Sequence, residues 1–274
     1  MPELPEVETI IRTLQCGKDG SCPIAGKKVA QARLLWKRTL ANTTAKKLNL
    51  QLKDQIVQSV GRRGKFVVIT FERVTLLIHL RMSGDLRVEP IQKSILQKHD
   101  RLVIDFVNGY RLVLNDPRKF GRAWLTRDPQ EILGVLGPEP LDSHLTYIQF
   151  HQKLNKKIRQ LKPLLLDQTF LAGLGNIYTD EALYLAHLHP LTKSNSITEA
   201  QSKVLLDAIR AVLKEGIQRN GASIDWVYRG GDFQNHFRVY QRNGQPCPVC
   251  GTIIERIQVG QRSTHFCPTC QKLN

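Results

Sequence analysis

At 274 residues with 41% apolar content, the chain is long enough for two domains with substantial cores. Its 40 Lys and Arg against 24 Asp and Glu leave a formal net charge of +16 and a pI near 9.8, which points to a polyanionic partner. The longest apolar runs, such as Val74 to Ile78, are strand-sized and far short of the ~18–20 residues a membrane helix needs; no charged leader and apolar stretch precede the first amphipathic segment, so no membrane association and a cytoplasmic location are expected.

The chain opens Met-Pro-Glu-Leu-Pro-Glu-Val-Glu-Thr-Ile-Ile-Arg-Thr-Leu. Val7, Ile10, Ile11 and Leu14 recur at the i, i+3, i+4, i+7 spacing of one buried helix face, and Pro5 suits a first helical position, so a helix is expected from about Pro5. Glu6 and Glu8 then fall in its first turn, where the helix dipole favours negative charge. Pro2 and Glu3 project just ahead of it. Loss of the initiator Met, expected before a residue as small as proline, leaves Pro2 with a free secondary amine. An α-amino group titrates near ~7.7–8.0, and lower beside the positive end of a helix, so it is a nucleophile at neutral pH. Condensed with an aldehyde carbon it gives an iminium that cannot lose its charge by N-deprotonation, a durable electron sink. Glu3, one residue away, is a carboxyl placed to move protons. The plainer reading is that Pro and Glu are ordinary residues at a helix start.

Cys16 and Cys22 flank a Gly-Lys-Asp-Gly-Ser loop and read as free thiols in a surface turn. From about residue 24 to 126 the pattern is β, with strands expected at Ile56 to Val60, Phe66 to Phe71, Thr75 to Leu80, Arg101 to Val107 and Arg111 to Asn115. Asn108-Gly109 signals a hairpin with a type I′ turn. Gly61-Arg62-Arg63-Gly64-Lys65 is a basic loop before a strand, by composition a solvated surface. In Asn115-Asp-Pro-Arg-Lys-Phe-Gly-Arg122 an exposed Phe120 among Arg118, Lys119 and Arg122 is hard to explain as core. It suits a wedge that enters a base step while neighbouring cations hold phosphates.

Gly137-Pro138-Glu139-Pro140 closes the β region and begins a linker. From Ser143 the periodicity is helical: Leu145, Ile148, Leu154, Ile158 and Leu161 predict one helix, and a Thr198/Gln201 capping box begins a second that runs to Asn220-Gly221. Between them, in residues 172–183, two glycines lead into a helix start whose backbone N–H groups could take a phosphate or simply connect helices. Residues 221–240 form a long aromatic segment hinged at Gly230-Gly231. The chain ends with Cys247-Pro-Val-Cys250, sixteen residues, then Cys267-Pro-Thr-Cys270. Two C-x-x-C pairs in a reducing compartment fit one structural Zn2+ held by four thiolates, with no open position for chemistry. Arg256 and Arg262 face only Glu255 between the pairs, so the finger is basic, and its folding should depend on zinc.

Residues 2–9, Pro-Glu-Leu-Pro-Glu-Val-Glu-Thr, resemble the opening of bacterial formamidopyrimidine-DNA glycosylase, a repair enzyme that excises oxidised purines. The likeness continues through Asp116 to Gly121 and Gly173 to Tyr178 to the cysteine pairs, and so covers nearly the whole chain. It implies an α+β, multidomain fold: a β-sandwich domain with a catalytic N-terminal helix over 1–137, a linker and the start of the first C-terminal helix over 138–150, a helix-two-turn-helix domain with a lesion-capping loop over 151–240, and a β-hairpin zinc finger over 241–274. It further implies a bifunctional DNA glycosylase and AP lyase of base excision repair, a monomer acting on damaged double-stranded DNA in the bacterial cytoplasm. On that pattern Pro2 attacks the sugar C1′ with Glu3 as acid, and Lys65 and Arg262 assist β- and δ-elimination at the phosphates with Glu6 in support. Phe120 is the wedge, Met82 a second filler, Arg118 faces the orphaned base, and His99, Lys157 and Asn176 contact DNA.

The residues themselves leave alternatives. A sister family, endonuclease VIII, shares the architecture and prefers oxidised pyrimidines, but Leu4, Val7 and the Arg118 to Phe120 wedge fit the purine enzyme better. A non-catalytic zinc-ribbon nucleic-acid-binding protein would satisfy the charge and cysteines and gives no reason for the N-terminal octapeptide. Met82 could be a strand-end core residue, and His99 and Lys157 plain surface polar groups. Arg81 and the insertion around Cys16 to Cys22 have no place in the pattern.

Overall fold

A computed structural model of the chain describes residues 1–17, 22–223 and 230–273. It consists of two compact units, Met1–Val135 with Ser223–Gly230, and Leu136–Ala222 with Gly231–Asn274. Among the described residues no helix is long and apolar enough to cross a membrane.

The first unit begins with α1 (Leu4–Cys16), one residue ahead of the expected start. Glu3 is its N-cap, and a capping box closes the first turn: Glu6 Oε2 accepts the Glu3 N–H at 2.8 Å. Val7, Ile10, Ile11 and Leu14 are all buried, and they join one core with the strands that follow. These are β1 (Val29–Leu34), β2 (Val57–Arg63), β3 (Phe66–Phe71), β4 (Thr75–His79), β5 (Asp85–Pro90), β6 (Asp100–Phe106), β7 (Tyr110–Asn115) and β8 (Arg122–Thr126), with α2 (Ala45–Leu52) after β1 and a short α3 (Gln130–Leu133) at the end. They form two antiparallel four-stranded sheets, in the orders β1-β6-β7-β5 and β2-β3-β4-β8. Alternation along β3 sends Val67, Ile69 and Phe71 into the core. Two polar contacts tie α1 to β2: Gln15 Nε2 donates to Val60 O at 2.6 Å, and Arg62 Nε meets Glu8 Oε2 at 3.1 Å.

The β6–β7 hairpin occurs where Asn108-Gly109 stands, but its turn is not type I′. Only Gly109 has positive φ (82°), and the Gly109 N–H donates to Phe106 O at 3.2 Å. The loop therefore has three residues, Val107 to Gly109, with the glycine in the left-handed place that closes such a turn. Cys16 and Cys22 carry free thiols, as expected, while residues 18–21 between them lie outside the described residues.

The second unit carries α4 (Tyr147–Asn155), α5 (Leu161–Leu166), α6 (Asn176–Leu185), α7 (Glu199–Gln218) and a hairpin of β9 (Glu255–Val259) and β10 (Arg262–Phe266). The single helix predicted from Leu145 to Leu161 is two. Pro163 cannot supply an N–H to a continuing helix and instead occupies the first turn of α5; Ile148 and Ile158, counted as part of the buried stripe, are exposed. The Thr198/Gln201 capping box begins α7 as expected. α6 is buried nearly all round, and its Tyr178 ring stacks on Phe233 at 5.1 Å between centroids.

That stack generates a stability prediction. Glycine to alanine inside a helix ordinarily stabilises, by ~1 kcal/mol. At Gly216 in α7 an added Cβ would stand 2.5 Å from Tyr178 Cε1, and Tyr178 is fully buried against Phe233. Gly216→Ala is therefore expected to destabilise, by ~1–3 kcal/mol, in denaturant unfolding. A stabilised variant would show that the ring can move aside.

Candidate functional site

Pro2 is buried at the start of α1, its nitrogen in the peptide bond to an exposed Met1; Glu3 and Glu6 are 2% and 3% exposed. The Glu6 bond to the Glu3 N–H fixes the peptide that follows Pro2. Pro2 and Glu3 thus stand just ahead of the first helical residue, as expected, but both are buried there, with Glu3 as the N-cap. Lys65, expected in a solvated loop, is 5% exposed in the turn between β2 and β3, the hairpin that Glu8 ties to α1 through Arg62.

His79, at the end of β4, packs edge-on against Phe66 at 4.8 Å. Its Nδ1 accepts the Arg81 N–H at 3.0 Å and holds Arg81 in a left-handed conformation, φ 56°. Arg81, unplaced by sequence, is thus the bend that delivers Met82. Burial, then the charges of Arg81 and Lys65, lower the His79 pKa to about 3, so the ring is a permanent neutral acceptor. Met82 and Phe120 are exposed, at 38% and 47%, and neither belongs to the core. The cations around Phe120 have separate posts: Arg118 lies 5.0 Å from the Phe120 ring centroid, Lys119 Nζ sits 4.0 Å above Trp36, and Arg122 bonds the Gly121 carbonyl at 3.0 Å. His99 is half-buried, its Nδ1 3.2 Å from Arg101 Nη2.

In the second unit one face of α6 grips the zinc-finger segment at successive turns, twice on β10 and once at Cys247. Asn176 Nδ2 donates to Ser263 O at 2.9 Å; Asp180 Oδ2 accepts from the His265 N–H at 3.0 Å; Tyr184 Oη lies 3.2 Å from Cys247 Sγ. The spacing is i, i+4, i+8. Asp180 is also paired with buried Lys162, and Glu181 accepts from the N–H groups of Arg238, Val239 and Tyr240 at 2.9 Å each. Burial still holds the Glu181 carboxyl above its ordinary pKa. Asn176 is thereby brought beside Arg262, which is exposed at the first position of β10; Asn176 Oδ1 is buried without a hydrogen-bond partner. The turn before Arg262 is the two-residue type, Gly260 and Gln261 both at positive φ. Lys157 stands apart, exposed after α4. Of the aromatic segment 221–240, residues 224–229 lie outside the described residues.

Cys247, Cys250, Cys267 and Cys270 converge, their sulfurs within 4.8 Å of one another, with separations of 3.8 Å (247–270), 3.4 Å (250–267) and 3.5 Å (250–270). A zinc tetrahedron with ~2.3 Å Zn–S bonds has S···S edges of ~3.8 Å, so the set fits Zn2+. Against the upward push of burial, hydrogen bonds led by Tyr184 bring Cys247 to about 6, while burial and its sulfur neighbours push Cys270 up. Four thiolates this close need a cation among them.

Three family models match the chain in sequence: formamidopyrimidine-DNA glycosylase N-terminal domain over residues 1–123, formamidopyrimidine-DNA glycosylase H2TH domain over 136–227, and the zinc finger found in FPG and IleRS over 244–273. The chain belongs to the formamidopyrimidine-DNA glycosylase family. The formamidopyrimidine-DNA glycosylases of Protochlamydia amoebophila and Chloroflexus aurantiacus are 41% and 43% identical to it, over 99% of this chain and 100% and 98% of theirs. Among solved structures, MutM in complex with carbocyclic 8-oxo-G containing DNA superposes with a TM-score of 0.90 at 37% identity, over 99% of this chain and 100% of that one. The Lactococcus lactis Fpg (MutM) with Fapy-dG containing DNA gives 0.90 at 36%, with the same coverage. The α+β fold with a β-sandwich, a helical H2TH region and a zinc-finger hairpin, expected from the resemblance, is the fold of this family member. Its four cysteines form one structural zinc site.

Two measurements follow from this geometry. Elemental analysis is expected to return one zinc per chain, and Cys267→Ser to lose it; a full complement of zinc in the variant would break the assignment. For His79 the folded-state pKa lies below the ordinary 6.5. Its contribution to stability is therefore complete above pH 6.5 and is lost as pH falls toward 3, by up to ~1.4 kcal/mol per unit, because the unfolded chain takes a proton the folded one refuses. His79→Gln should flatten the acid limb of the stability profile between pH 6 and 4; an unchanged slope would assign that limb to other groups.

Proposed function

We propose that this family member is a bifunctional DNA glycosylase and AP lyase of base excision repair, which removes oxidised purines from duplex DNA and cuts the strand at the resulting site. The observation that carries the reading is the Pro2-Glu3 start held at the N-terminus of α1 by the capping box with Glu6, in a chain of net charge +16. The named relatives, and complexes of related proteins with DNA containing 8-oxo-G or Fapy-dG, support the same activity and favour purine lesions over the pyrimidine substrates of the sister family.

Removal of Met1 turns the Pro2 amide nitrogen into a secondary amine. Its lone pair attacks the sugar C1′ as the C1′–N9 bond breaks; the proton the amine loses leaves with the base, and Glu3 gives the proton that O4′ takes as the sugar ring opens to the iminium. The resulting iminium has no N–H to lose and withdraws electrons from C2′. Loss of a C2′ proton expels the 3′ phosphate (β-elimination), and a second loss, at C4′, expels the 5′ phosphate (δ-elimination). Water then hydrolyses the iminium and frees Pro2. Lys65 and Arg262 each assist at a phosphate, and Glu6 acts by holding the Glu3 peptide.

Phe120 and Met82 fill the space left by the everted nucleotide, Arg118 meets the orphaned base, and His99, Lys157 and Asn176 contact the backbone. The protein acts as a monomer in the bacterial cytoplasm.

Borohydride added during turnover on an 8-oxoguanine duplex should convert the iminium to a stable amine, with the adduct mapped to Pro2. A retained Met1 should abolish both trapping and strand cleavage. Glu3→Gln should keep DNA affinity and lose most base excision, by ~10²–10⁴-fold as for removal of a positioned acid. An adduct on Lys65, or full activity with a blocked terminus, would take Pro2 out of the reaction.

A further inference from the structure

We propose that the Asp116 carboxylate and the Ser83 hydroxyl are positioning residues that join the loops of Met82, His99 and Arg118 to Phe120 into one rigid unit for lesion eversion. The inference rests on the proposed function, since it takes Met82, Arg118 and Phe120 as the groups that open the duplex and His99 as a backbone contact beside them.

Asp116 is 1% exposed at the foot of the wedge loop, and its polar atoms tie together Ser83, the stretch His99 to Arg101, and its own loop at Gly121. Oδ1 accepts from the Ser83 hydroxyl, 33 residues away and next to Met82. Oδ2 accepts the Gly121 N–H at 2.7 Å, directly after Phe120. The Asp116 N–H donates to His99 O at 2.8 Å, and the Asp116 carbonyl accepts from Arg101 Nε at 2.8 Å. Arg101, itself buried, continues to the Lys98 carbonyl at 3.2 Å and to the His99 ring. Ser83 closes the circuit, because its oxygen accepts the Arg118 N–H at 3.3 Å.

A carboxylate suits the site: it accepts the Gly121 N–H and the Ser83 hydroxyl proton together and leaves the hydroxyl oxygen to accept the Arg118 N–H, whereas an amide with its oxygen toward Gly121 would turn its NH2 on the hydroxyl and displace that proton. Gly121 fits the same arrangement: an added Cβ would stand 3.1 Å from Asp116 Oδ2. Other contacts hold each loop separately, His79 at Arg81 and Trp36 at Lys119, but do not link one loop to another, and Met82 and Phe120 are exposed, so apolar packing does not set their direction. A group that must enter a base step loses its effect when misplaced by ~1 Å, which can cost ~10²-fold in rate. A carboxylate shared by the loops sets Met82 and Phe120 relative to each other before DNA arrives.

A double-mutant cycle tests this, with single-turnover excision on an 8-oxoguanine duplex for the full chain, Ser83→Ala, Asp116→Asn, Phe120→Ala and Ser83→Ala with Phe120→Ala. A 2-aminopurine beside the lesion reports opening of the base step. Ser83→Ala is expected to slow excision about 10-fold and reduce the opening signal in proportion, while duplex affinity, its salt slope and the melting temperature stay near wild type. In the Phe120→Ala background the same change should add little, and Ser83→Thr should restore the rate. Asp116→Asn should follow Ser83→Ala with a larger loss; if it fails to fold, the serine variants decide. Wild-type excision by Ser83→Ala, full multiplication of its effect with Phe120→Ala, or a loss tracking melting temperature and affinity would each overturn the proposal. Wild-type protein that does not excise the lesion would instead refute the assigned activity.

Discussion

A carboxylate withdrawn from water is costly unless donors meet its oxygens, and this chain sets buried carboxylates at the feet of its functional loops. Among the described residues six acidic side chains are buried: Glu3, Glu6, Asp100, Asp116, Asp180 and Glu181. Each has backbone N–H groups as partners: Glu3 and Glu6 at the start of α1, Asp100 at Gln97, Asp116 at Gly121, Asp180 at His265, and Glu181 at three successive residues. In a strongly cationic chain the loops proposed to meet phosphate repel one another, and internal carboxylates can hold them in place without adding negative charge to the proposed DNA-facing surface.

The same economy of design links metal to chemistry in the second unit. The finger is small, and its fold is set by four thiolates and by the face of α6 that meets it at Ser263, His265 and Cys247. Arg262 stands on the hairpin between those grips. Its placement therefore depends on zinc through Cys247 and on a buried charge pair through Asp180 and Lys162. Breaking such a pair by removing one partner typically costs ~3–5 kcal/mol, far more than an exposed ion pair could impose.

Much of this was legible in the sequence. The strands read correctly from periodicity were mainly interior ones, β3, β4, β6 and β7, whose apolar runs are continuous. The three missed strands, β1, β5 and β8, all lie at sheet edges, where one side has no partner and polar residues such as Gln31, Arg33, Arg87 and Glu89 are tolerated. The Asn108-Gly109 signal gave the hairpin and the wrong turn, because the loop has three residues and uses only the glycine's left-handed freedom. The four cysteines carried their meaning in their spacing. Asp116 and Ser83 did not: their partnership spans 33 residues, and no local rule distinguishes a buried Asp in a turn from an exposed one.

The N-terminal helix shows why the proposed chemistry needs more than an exposed amine. The positive end of a helix disfavours any cation placed beside it, and in the proposed mechanism that includes the cationic iminium formed on Pro2. A bare helix start would penalise that intermediate. Glu3 at the N-cap and Glu6 one turn on place two carboxyls at that end, and the bond from the Glu3 N–H holds the Glu6 carboxylate against the helix start rather than against the amine. In the proposed mechanism they offset the dipole where the cation forms, leaving Glu3 near enough to give its proton. The Pro-Glu-Leu-Pro-Glu opening is thus one electrostatic unit, in which the helix and its capping box set the charge the reaction passes through.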